Sequence, residues 1–66
     1  MNIFVNQESK KIDDSPIYVD TLLNILQPKS PFAISLNAKF IAKSNYASTL
    51  IHENDRIDII SPITGG

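Results

Sequence analysis

The chain has no cysteine and no tryptophan, and its only two glycines are its last two residues, Gly65 and Gly66. Without cysteine there can be no disulfide and no thiolate metal site. Without an internal glycine there is no glycine-rich loop to cradle a phosphate, and none of the turns is made with glycine. Basic charge is in no excess: six Lys and Arg stand against seven Asp and Glu, with a net charge of −1 and a pI near 5.6. Lys10-Lys11 is the only adjacent basic pair, so the clustered cations that nucleic-acid backbones require are missing. No apolar run approaches the roughly 20 residues that span a bilayer, and the N-terminus has no basic segment leading into a long apolar one. The expectation is no membrane and no nucleic acid, with a cytoplasmic location, or an organelle stroma if the gene is organellar.

What is there is a chain of 66 residues, 42% hydrophobic and 20% charged, which is globular composition. A domain of this size buries only about 60% of the surface its unfolded chain exposes, too little for both a core and a deep substrate pocket. A binding or carrier module is expected rather than an enzyme.

Ile3-Phe4-Val5 reads as a strand closed by the polar turn Asn6-Gln7-Glu8, with a second strand through Ser9 to Ile12. Asp13-Asp14-Ser15-Pro16 ends it. Val19, Leu22, Leu23 and Leu26 recur at i, i+3, i+4 and i+7 and form one helical stripe, with Asp20 and Asn24 facing away. Pro28 predicts that the helix stops near Gln27. Phe32 to Leu36 reads as a buried strand, Asn37-Ala38 as a tight turn, Lys39 to Ala42 as a returning strand, and Lys43 to Tyr46 as a surface turn. Glu53-Asn54-Asp55 is a further turn before Arg56-Ile57-Asp58-Ile59-Ile60, whose alternation turns Ile57 and Ile59 inward. Together these predict an α+β fold, a mixed four- to five-stranded sheet with one main helix on one face. A right-handed crossover through the helix suggests that the strand after it lies parallel to a neighbour.

The side chains offer no catalytic or metal constellation. His52 stands alone and reads as solvated or structural, since one imidazole makes neither a zinc site nor a triad. Asp13 and Asp14 are adjacent, so they favour a turn instead of sharing a proton or a metal. The terminal pair is more informative. At average glycine usage a chain ends Gly-Gly about 0.5% of the time, and here both glycines are kept out of every turn. Two residues without Cβ let a backbone enter a narrow channel and present the Gly66 carboxylate to another protein's active centre. A free carboxylate is a poor electrophile, so ATP must activate it, and nothing in this chain binds nucleotide. A frayed tail is the bland alternative.

The sequence resembles the ThiS family, the sulfur carrier proteins of thiamine biosynthesis, small β-grasp domains with the ubiquitin fold. The resemblance runs over the whole chain. It rests on Met1-Asn2-Ile3 with Asn6, on Val19, Leu22-Leu23 and Leu26, and on Ala33-Ile34-Ser35-Leu36-Asn37. It continues through Ile41, Lys43-Ser44, Tyr46, Leu50, Asp55-Arg56-Ile57-Asp58-Ile59-Ile60 and Gly65-Gly66. The resemblance implies a single carrier domain over residues 1–66 with a flexible tail from 61 to 66, and no active site of its own. It also implies that an E1-like adenylyltransferase of the ThiF type activates the Gly66 carboxylate with ATP and Mg. A sulfur donor system converts the adenylate to a thiocarboxylate, and a ThiG-type thiazole synthase consumes the sulfur. Gly65 gives the tail its access. Ile60, Pro62 and Ile63, with Thr64 beside them, are the candidate partner contacts, the other reading being that Ile60 and Ile63 fold over a sheet edge into the core. Phe40 and Tyr46 are weaker candidates for partner contact and read first as core or satellite packing. The free protein is expected to be a monomer.

The chain departs from the family at Gln7 and Ala38, where glycine is usual, which suggests altered turn types, and at Asn54. Tyr18 replaces a common Thr cap, which suggests that the helix begins at Pro16 with Ser15 as its cap. Two rival functions share the features so far. One is the small subunit of a molybdopterin synthase, also a β-grasp carrier ending Gly-Gly. The other is a non-covalent ubiquitin-like interaction domain in which the glycines are incidental.

Overall fold

The computed structural model describes residues 1–13 and 15–61. Strands β1 (Asn2–Val5) and β2 (Glu8–Lys11) form the first hairpin; β3 (Ile17–Tyr18) leads directly into α1 (Val19–Leu26). The second hairpin is β4 (Ala33–Leu36) with β5 (Lys39–Ile41), followed by a 3-10 turn over Lys43–Asn45, β6 (Leu50–Ile51) and β7 (Arg56–Ile60). The main sheet has the order β2-β1-β7-β4-β5, and β3 with β6 makes a separate two-stranded ribbon. This is a β-grasp: a mixed five-stranded sheet with one helix on one face.

The parallel pair is not where the crossover argument put it. β4 is antiparallel to both of its neighbours, β5 and β7, and the parallel pair is β1 with β7. β4 does run in the same direction as β2, as the helical crossover requires, but β1 and β7 stand between them. The last strand fills the gap that the crossover leaves, so the chain's exit comes from the middle of the sheet.

Alternation decides the two faces. Ile3 and Val5 of β1, Ile34 of β4 and Ile57 of β7 point to the helix and are buried with Val19 and Leu22. Leu23, Leu26, Leu36 and Ile59 pack against them half-buried, while Asp20 and Asn24 are exposed. Each fully buried aliphatic side chain contributes roughly 1.5–3 kcal/mol. An eight-residue helix is too short to persist alone, so this burial holds it.

The helix does not begin at Pro16. Ile17 is buried opposite Ile51 in the ribbon, which keeps the chain extended until Val19. Tyr18 occupies the cap position with no side-chain bond. The free helix N–H groups find partners elsewhere: Val19 donates to the Thr49 carbonyl at 2.9 Å and Asp20 to the Tyr46 carbonyl at 3.0 Å. At the other end Gln27 turns left-handed at φ 50° and its N–H bonds the Leu23 carbonyl at 2.8 Å, an αL stop followed at once by Pro28.

The turns keep their geometry in the absence of glycine. Val5 faces Glu8 and Leu36 faces Lys39, so both hairpins turn over two residues. Those residues all have positive φ: Asn6 51° and Gln7 69°, Asn37 51° and Ala38 70°. Positive φ at both positions is the mark of the type I′ turn, whose twist matches that of the strands. The altered turn types expected from Gln7 and Ala38 are therefore not found.

Candidate functional site

The helix covers one face of the sheet, and the other face shows what the molecule offers a partner. Residues paired across strands project to the same side. Phe4 lies opposite Ser9 and Arg56, Ser35 opposite Asp58 and Phe40, and Ala33 opposite Ile60. Three large apolar side chains stand on this open face: Phe4 at 37%, Phe40 at 69% and Ile60 at 56% exposure. Arg56 and Asp58 supply one charge of each sign between them.

Ile60, at the head of the sequence-based candidates, is the exposed last residue of β7. It is a surface residue and not part of the core. Pro62, Ile63, Thr64, Gly65 and Gly66 lie outside the described residues, as does Asp14. Tyr46 is half-buried against the core, as expected. Phe40 is not core packing. With Ile34 and Leu36 turned inward, Ser35 turns outward, and its register partner Phe40 goes with it. The same alternation puts Phe4 outward between Ile3 and Val5. Both positions follow from the two-residue turns and the strand alternation, which outweigh the general tendency of aromatic side chains to be buried.

Two asparagines of the hairpin turns, Asn6 and Asn37, hold the exit strand. Asn6 donates its N–H to the Ile57 carbonyl at 2.9 Å, and its side-chain Oδ1 accepts the Ile59 N–H at 2.7 Å. Asn37 does the same at the other end of β7. Its N–H donates to the Arg56 carbonyl at 2.7 Å, and its Oδ1 accepts the Arg56 N–H at 2.9 Å. Asn37 Nδ2 also donates to Asp55 Oδ1 at 3.0 Å, while Asp55 Oδ2 accepts the His52 N–H at 2.8 Å.

His52 is thus part of a turn. Its Nδ1 is 3.9 Å from Asp55 Oδ2 and its side chain is 64% exposed, and the chain holds no second histidine. Among the described residues no group of three or more His, Asp or Glu side chains could hold a metal ion. Two concavities among the described residues are shallow: one of about 460 Å³ lies against Phe4, Gln7 and Arg56, and one of about 310 Å³ against Ser30, Pro31, Phe32, Lys43 and Tyr46. Among the described residues no helix is long and apolar enough to cross a membrane.

The ThiS family model matches residues 2–66, nearly the entire chain. The chain belongs to the ThiS family. Its fold is that of two solved structures from Geobacter metallireducens. The first, a crystal structure of a thiamine biosynthesis protein (ThiS), superposes with a TM-score of 0.89 at 22% identity and covers 100% of both chains. The second, an NMR solution structure of a thiamine biosynthesis protein, gives 0.81 at 22% identity and covers 100% of this chain and 88% of that one. Among curated protein sequences there is no significant match. The β-grasp of this ThiS-family member therefore matches structures that share about one residue in five with it.

Proposed function

We propose that this ThiS-family protein is a sulfur carrier of thiamine biosynthesis whose working group is the Gly66 carboxylate. The observation that carries the reading is the family match over residues 2–66, which runs through the terminal Gly65-Gly66. The chain acts as a protein cosubstrate and not as a catalyst.

In this reading a ThiF-type adenylyltransferase positions the carboxylate against ATP and Mg. A carboxylate oxygen attacks the α-phosphorus, pyrophosphate leaves, and an acyl-adenylate forms. Hydrosulfide supplied by the donor system adds to the acyl carbon and expels AMP, giving the thiocarboxylate. A ThiG-type thiazole synthase takes the sulfur, and hydrolysis returns the carboxylate for another round. The carrier contributes presentation. Five residues follow Ser61, so the last backbone atoms lie at most about 18 Å from it. A partner that holds Gly66 in its active centre must therefore bind the carrier close by. The surface that fits is the open face ending at Ile60, where Phe4 and Phe40 give apolar contact of the kind that marks interfaces; Pro62, Ile63 and Thr64, next in the sequence, are the further proposed contacts.

The test is intact-protein mass spectrometry after incubation with ATP, a ThiF-type enzyme and a cysteine-fed sulfur source. Replacement of one oxygen by sulfur at Gly66 is the expected result. An unchanged mass with an enzyme active on another carrier would overturn the reading in favour of a non-covalent interaction domain. Recovery of a large molybdopterin-synthase subunit instead of thiazole synthase would redirect it to that pathway.

A further inference from the structure

The ladder between β1 and β7 is short: Phe4 pairs with Arg56 and Val5 with Ile57. The first strand then turns away into its hairpin, which would leave the last residues of β7 bound on one side only, through Ile59 to Ile34 and Ile60 to Ala33. Asn6 fills the missing place. Its backbone N–H bonds the Ile57 carbonyl, and its side chain takes the N–H of Ile59, one residue before the strand ends. A side-chain amide thus continues the ladder where the backbone has left it. We propose that Asn6 is a positioning residue for loading of the tail: by holding Ile59 it fixes where β7 ends and the direction in which the segment after Ile60 leaves the sheet. The proposal rests on the carrier reading above.

The clasp has an internal control. Asn37 holds the opposite end of β7, with two side-chain hydrogen bonds to the Asn6 side chain's one. If asparagine clasps matter only for stability, loss of Asn37 should do more harm than loss of Asn6. If Asn6 positions the tail, the order for loading is reversed. Glycine is the informative replacement at both sites, because it removes the side-chain bonds while keeping the positive φ of the turn, and its backbone effects are common to the two variants, both at φ 51°.

The experiment measures steady-state thiocarboxylate formation by mass spectrometry with a ThiF-type enzyme, ATP and a sulfur source, at a temperature where every variant is folded. Asn6→Gly is expected to lower kcat about fivefold, the factor that corresponds to one hydrogen bond of ordinary net strength. KM should change less than twofold, since the open face is untouched. Asn37→Gly should leave kcat within twofold although it lowers the melting temperature more. Asn6→Asp, which keeps an acceptor oxygen, should restore most of the rate. Amide exchange at Ile59 should rise about fivefold in Asn6→Gly and stay unchanged in Asn37→Gly. Losses of kcat that follow melting temperature, or an unaltered kcat in Asn6→Gly, would overturn the proposal. If the wild-type chain itself takes up no sulfur, the carrier reading fails and the proposal falls with it.

Discussion

Replacing Ala38 with glycine should stabilise the protein, against the usual rule that glycine weakens a fold. Ala38 is exposed and sits at φ 70° as the second residue of the β4–β5 turn. In the left-handed region an L-residue's Cβ crowds the following carbonyl, at a cost of roughly 1–2 kcal/mol. Glycine escapes that cost but brings a more disordered unfolded chain, which takes back about 0.4–1 kcal/mol. The net gain is about 0.5–1 kcal/mol. In a domain of this size 1 kcal/mol moves the melting temperature by about 4–8 °C, so Ala38→Gly should raise it by about 2–8 °C. The Asn37 clasp remains whole in the variant, because only the side chain at position 38 is lost. The assay is thermal unfolding by circular dichroism, with Ala47→Gly as the control. Ala47 is also exposed, lies in a turn and has no positive φ, so there glycine should lower the melting temperature. If Ala38→Gly lowers it as well, the type I′ description of the turn is wrong and the argument from backbone strain fails.

Gln7→Gly, at φ 69° in the first hairpin, should stabilise by a similar amount, and the double variant should show the sum in the same melting experiment. Leu22→Ala removes a side chain of 0% exposure and should cost about 2–5 kcal/mol, seen as loss of the cooperative transition at ambient temperature. Phe40→Ala should leave the melting temperature within about 2 °C, since the ring is 69% exposed and exposed substitutions cost little. In the carrier reading the same variant should bind the adenylating enzyme at least fivefold more weakly by calorimetry, at the scale of an interface aromatic. Deleting Gly65 and Gly66 should abolish sulfur loading with no change in thermal unfolding.

The parts of the fold legible in the sequence were those set by a local period. The stripe Val19, Leu22, Leu23, Leu26 and the alternation about Ile57 and Ile59 each place their residues correctly, because helix and strand spacing act within a few positions. What was not legible depends on partners far along the chain. The helix start at Val19 is decided by carbonyls of Tyr46 and Thr49. The two-residue strands β3 and β6 exist only through each other and are too short to show a period. The parallel pairing of β1 with β7 joins the two ends of the chain. At the site, Ile60 could be named from its break in alternation. The outward turn of Phe4, and the rank of Phe40 above Tyr46, depend on strand register and not on residue type, and the clasp role of Asn6 depends on a bond across 53 positions.

These distant contacts converge on one strand. β7 lies at the centre of the sheet, with β1 on one side and β4 on the other, an asparagine clasp near each end and Ile57 buried beneath it. In a small domain, outer strands and chain ends are the first places to open. A tail emerging from an edge strand would carry that fraying into the segment it presents. A tail emerging from the centre starts from backbone paired on both sides as far as Ile59. The interior of the domain thus serves its last residues: burial of Ile57 and the hydrogen bonds around β7 set a fixed point from which a slender chain can be offered. In the carrier reading, that fixed point lets a domain with no active centre of its own deliver one carboxylate to successive enzymes.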